Sequence, residues 1–85
     1  MIKYHGSLNS ICKDWFKDNY PFDSSNYPDT PEGEKQYNED IEKIQASVSY
    51  DDAKKCWEES SLYEAGDWII DDIYAKLKEI SENLM

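Results

Sequence analysis

Residues 67–80 read DWIIDDIYAKLKEI, and the reading of this stretch decides the fold. Trp68 or Ile69, then Ile70, Ile73, Tyr74, Leu77 and Ile80, continued by Leu84, recur at helical spacing and draw one broad apolar stripe. The same stretch places Asp67, Asp71 and Asp72 within six positions. Acids here either cap a helix start and solvate its outer face, or build a surface that meets something basic. The start of this helix has two readings. Ser61 with Glu64 makes a capping box that begins it early and runs it through Gly66 to Asn83. Alternatively Ala65–Asp67 is a loop and Asp67 caps a helix that begins at Trp68. Glycine inside a helix costs about 1 kcal/mol relative to alanine, which favours the second reading.

Working back from this helix, Leu8, Ile11, Cys12, Trp15 and Phe16 form another stripe after Ser7. That helix should end near Asn19, because Pro21 disfavours helical geometry at Tyr20. The following stretch, with Pro21, Pro28, Pro31 and Gly33, reads as loop and turn. Thr30 is a natural N-cap, Pro31 suits the first helical position, and Glu32 and Glu34 suit the first turn. Tyr37, Ile41, Ile44 and Val48 then give a narrow stripe, so this helix should pack on one side only. Ser49 can cap a short third helix that gathers Ala53, Cys56 and Trp57. With no convincing alternating strand, residues 1–85 are expected to form a single acidic, all-α domain. It would be a small three- or four-helix bundle with a proline- and tyrosine-rich loop between the first two helices. The expected core is Leu8, Ile11, Trp15, Phe16, Ile41, Ile44, Trp57, Ile70, Ile73, Leu77 and Ile80. The first six residues should add a short strand or pack as an arm.

Composition narrows the function classes. Nineteen acids against nine basic residues leave a formal charge of −10 in 85 residues, beyond the magnitude of roughly 2 to 8 usual for a soluble small domain. All nine basic residues are lysine, so the side chain best suited to bidentate phosphate recognition is missing. Direct binding of nucleic acid is therefore not expected. Cys12 and Cys56 lie far apart in sequence with no CxxC spacing and are expected as buried free thiols, with a bridge between the first and third helices as the alternative. His5 stands alone, without a second histidine or a cysteine at ligand spacing. The loop from Asp23 matches a calcium loop in length only, because its sixth position is Pro28 where glycine is required. No metal or cofactor is expected, and the chain does not read as an enzyme. It carries no secretory signal and no run approaching the ~18 apolar residues of a membrane span, which fits a cytoplasmic setting in a host bacterial cell.

What remains is an acidic surface and an excess of tyrosine. Glu64, Asp67 and Asp71 recur along the last helix, with Asp72 on a neighbouring row and paired with Lys76. If the third and last helices form a hairpin, Asp51, Asp52, Glu58 and Glu59 extend that face. Tyr63 edges it, and Tyr20, Phe22 and Tyr27 in the loop are further interface candidates, unless the loop folds back and plugs the end of the bundle. In size, charge and fold class such a domain is similar to small phage-encoded anti-CRISPR and antirestriction proteins that mimic DNA, and to immunity proteins that neutralise bacterial nuclease toxins. The resemblance brings no functional residue with it. It implies an inhibitor that occludes the basic nucleic-acid-binding surface of a CRISPR effector or other nuclease. An immunity protein or antitoxin is the alternative, and a helical adaptor whose charge only solubilises is a third.

Overall fold

The computed structural model describes residues 2–84, which form four α-helices joined by loops and three short 3-10 turns. The helices are α1 (Leu8–Asn19), α2 (Pro31–Ser47), α3 (Tyr50–Glu58) and α4 (Ile70–Glu82). The first three begin where side-chain chemistry dictates. Ser7 accepts from the Ser10 amide at 3.2 Å, and Thr30 accepts from the Gly33 amide at 3.1 Å, ahead of Pro31. Ser49 forms a reciprocal capping box with Asp52. The chain is an all-α bundle, as its periodicity predicts.

Both readings of the last helix are corrected. Ser60, not Ser61, caps a 3-10 turn over Ser61–Ala65, which ends at Gly66. Gly66 has φ +94°, a conformation that favours glycine and interrupts any helix running through it. Asp67 then opens a second 3-10 turn, Asp67–Ile69, and its side chain caps nothing. Its carbonyl accepts from the Ile70 amide, so one helical turn feeds directly into α4 without a side-chain cap. Trp68 leaves the apolar stripe altogether, because the core begins at Ile70.

The core is built on α4, whose Ile70, Ile73 and Leu77 pack with Ile11, Cys12, Trp15 and Phe16 of α1 and with Ala53 and Cys56 of α3. Of the expected core, Leu8, Ile44, Trp57 and Ile80 are only half-buried at its margin, while Cys12, Val48, Ala53 and Cys56 are buried in full. These smaller side chains fit where helices cross closely. Both cysteines are free and fully buried. A hydrogen bond to Cys12, with burial, pushes the Cys56 thiol up and keeps it protonated.

α2 packs chiefly on α4. Gln45 donates to the Ser81 carbonyl at 3.0 Å, Lys78 to the Gln45 carbonyl at 3.3 Å, and Tyr37 to the Leu84 carbonyl at 3.2 Å. The loop before α2 lies against that helix's first turn. A Cβ on Gly33 would come within 2.1 Å of the Pro28 carbonyl oxygen, so only glycine admits the approach. The N-terminal residues form an arm. The Lys3 and Tyr4 amides donate to the Glu59 carbonyl, and the Ser61 amide donates to that of Tyr4, a single parallel bridge. The particle is elongated at 47 × 19 × 17 Å, with a radius of gyration of 14.2 Å. A compact chain of this length would have about 12 Å.

Ile73 has no exposed surface and sits between helices. Ile73→Ala should lower the unfolding free energy by about 2 to 5 kcal/mol. Urea unfolding followed by far-ultraviolet circular dichroism measures this, and an unchanged midpoint would reject the assigned core face.

Candidate partner-binding surface

The tyrosines are largely explained by aspartate. Four phenols each donate to a carboxylate of another part of the chain: Tyr4 to Asp18 at 2.8 Å, Tyr20 to Asp52 at 2.5 Å, Tyr27 to Asp40 at 2.5 Å, and Tyr50 to Asp71 at 3.0 Å. An ionised carboxylate accepts strongly, and a neutral phenol can satisfy it where lysine is scarce. Burial and the Asp52 carboxylate push the Tyr20 phenol up to about 12, and burial and Asp18 do the same at Tyr4. Tyr27 and Tyr50 are raised chiefly by their own aspartate partners.

This arrangement uses the loop aromatics internally. Tyr20 packs on Phe16 at 5.2 Å between ring centroids, and its hydroxyl also lies 3.3 Å from the Ser47 carbonyl. Phe22, Tyr27 and Tyr37 form a three-ring cluster with centroids 5.2 to 5.7 Å apart. Tyr20, Phe22 and Tyr27 are all half-buried. The loop folds back on the bundle.

The candidate acids separate into groups. Asp52 is half-buried and accepts from the Ser49 amide as well as from Tyr20. Glu59 accepts from the Trp15 indole at 3.1 Å and from Lys3 at 3.4 Å. Asp51, Glu58, Glu64, Asp67, Asp71 and Asp72 are exposed. They do not form the helical row expected of them, because Glu64 precedes Gly66, Asp67 lies in a 3-10 turn, and only Asp71 and Asp72 belong to α4. The expected Asp72–Lys76 pair is also absent, since Lys76 bonds Glu79 at 3.4 Å.

Nor do α3 and α4 make the expected hairpin. Tyr50, the first residue of α3, meets both Asp71 and Tyr74 near the start of α4. The two helix starts therefore lie together, and the two 3-10 turns carry the chain back between them. Asp71 accepts from the Tyr50 phenol, and Asp67 lies near enough to help raise it. Glu58, at the other end of α3, is about 10 Å along the helix from Asp51.

Periodicity missed the most exposed large apolar side chain. Trp68 is 65% exposed, and Tyr63, on the other side of Gly66, is 54% exposed. Tyr63 stacks one face on Trp57 at 4.5 Å, and the Trp57 indole nitrogen is buried without a hydrogen-bond partner. The clue was in the sequence, because Trp68, Ile69 and Ile70 are consecutive and a helical stripe cannot bury three adjacent residues. A second clue was the run from Cys56 to Ala75, which contains six acids and no basic residue. Trp68 and Tyr63 lie inside that run. Among the described residues, no three metal-ligating side chains converge, and no helix is long and apolar enough to cross a membrane. Comparison with protein-family models, with curated proteins and with solved structures finds no match to this chain.

The phenol–carboxylate bonds give a stability test. Folding favours the neutral Tyr20 phenol, so its contribution is complete below its ordinary value of 10.0 and is lost as pH rises through that value toward 12. Tyr20→Phe should cost about 1.5 kcal/mol near neutral pH, and the gap from wild type should narrow as pH rises through this window. Melting curves of the two proteins across that range check it, and a constant gap would assign the loss to packing alone.

Proposed function

We propose that this chain is a small acidic inhibitor that binds and occludes a basic nucleic-acid-binding surface on a defence nuclease. The observation that carries this reading is the density of negative charge along a narrow rod. A net charge of −10 on a particle 47 Å long is about one charge per 5 Å. A nucleic-acid strand carries one per about 3.4 Å and a duplex one per about 1.7 Å. The rod is thus nearer to a single strand than to a duplex, and its cross-section of 19 × 17 Å suits a groove or channel. In the lysine-free run from Cys56 to Ala75, Glu59 is paired with Lys3 and Asp71 with Tyr50, and the exposed Glu58, Glu64, Asp67 and Asp72 are left to meet such a surface.

A second reading has its own support. An immunity protein or antitoxin would hold a nuclease toxin through aromatic anchors, and the exposed Trp68 and Tyr63 fit that mode better than they fit imitation of a phosphate backbone. Both readings require a basic partner and differ in how much of the affinity is aromatic.

The test is capture of a partner from bacterial lysate on the immobilised protein, identification by mass spectrometry, and displacement of a labelled oligonucleotide from the purified partner. Asp67 and Asp72 are exposed, and neither accepts one of the four phenol hydrogen bonds. Asp67→Lys with Asp72→Lys should preserve the melting transition while slowing association by about tenfold or more at low salt. Added salt should slow association of the wild type in the same direction. A double variant that associates at the wild-type rate would leave these acids with a solvating role only.

A further inference from the structure

The register set by Ile70 places Trp68 outside the core, and no side chain among the described residues covers it there. Its ring has one close neighbour in the chain. It lies over Gly66, where an added Cβ would come within 3.3 Å of the indole Cδ1 atom, and the next residues, Ile69 and Ile70, lead directly into the core. Among the described residues no other ring stacks on it and no lysine covers it. The chain's own cation–ring contacts are elsewhere, with Lys54 over Tyr50 and Lys78 over Tyr74, each at 5.8 Å. Trp68 therefore presents an uncovered indole within a run that has six acids and no base.

We infer that Trp68, with Tyr63 beside Gly66, anchors an arginine-presenting segment of a basic protein, and that Glu64 and Asp67 receive the guanidinium hydrogen bonds. This takes the basic partner from the function proposed above and adds where and how it is held. Tryptophan is the strongest aromatic partner for a cation. Arginine fits better than lysine because its planar guanidinium stacks on a ring while donating to carboxylates in its own plane. The occupant is not a second copy of this chain, which contains no arginine and would bring ten further negative charges. It is not nucleic acid either, whose phosphates the six acids of the run repel.

The test follows the three indole N–H resonances of the isotopically labelled protein by NMR during titration with a short peptide alternating glycine and arginine. Matched lysine and glutamate peptides serve as controls. The Trp68 indole and the amides of residues 63–68 should shift to saturation, while the indole of the buried Trp15 stays in place. The lysine peptide should bind more weakly, and the glutamate peptide should not bind. Trp68→Ala should weaken the arginine peptide by about tenfold or more without changing the melting transition. Tyr63→Ala, and the titration of the intact protein, keep the assignment testable should the first variant melt early. Shifts spread evenly over all exposed acids and unaffected by Trp68→Ala would overturn the proposal, as would a dimer seen in sedimentation with Trp68 at its interface. A captured nuclease inhibited equally by wild type and Trp68→Ala would remove the anchor and keep the proposed function. Peptide binding at Trp68, with no captured partner releasing its oligonucleotide, would do the reverse.

Discussion

The carboxylate of Asp52 holds the structure at the point where three helices meet. It accepts from the Ser49 amide and so begins α3, and it accepts from the phenol of Tyr20, which closes the end of α1 and lies against the last carbonyl of α2. A chain with 19 acids and nine lysines cannot join its elements mainly by ion pairs, and among the described residues only Lys3–Glu59 and Lys76–Glu79 are formed. Tyrosine takes the place of a cation. Its neutral hydroxyl satisfies a carboxylate at a lower desolvation cost than a buried lysine, and its ring adds apolar area at the same joint. The four phenol–aspartate bonds tie the arm to α1, α1 to α3, the loop to α2, and α3 to α4.

Much of the fold was legible because it depends on local chemistry. Ser7, Thr30 with Pro31, and Ser49 mark the starts of α1, α2 and α3, and the apolar spacing of α1 and α4 selects the buried faces. The start of α4 was not legible. Its N-terminus uses no side-chain cap, and a 3-10 turn has a different period from the helix it leads into. The burial of Cys12 and Cys56 followed from their apolar faces, whereas Val48 and Ala53 are buried ahead of the larger Leu8, Ile44, Trp57 and Ile80 because burial there depends on how closely the elements approach, which spacing alone does not report.

The candidate surface was legible in composition and not in geometry. The acids that remain exposed include Asp51, Glu58, Glu64, Asp67, Asp71 and Asp72, yet the row they were expected to form is cut at Gly66. Asp52 and Glu59 were drawn inward by partners distant in sequence, Tyr20 and Trp15, and no local pattern announces such pairings. Trp68 went the other way. Its apolar character suggested burial, while the register set by Ile70 placed it outside.

The one-sided attachment of α2 gives the molecule two levels of cohesion. α1, α3 and α4 share one core, whereas α2 leans chiefly on α4 and presents a long solvated face. Cooperative units in proteins follow the density of such contacts. α2 with its aromatic loop is therefore the segment whose backbone amides exchange with solvent first, by an opening that leaves the other three helices assembled. The lysine-free run and Trp68 join α3 to α4, so the surface that would meet a partner belongs to the three-helix part and is set apart from the opening of α2.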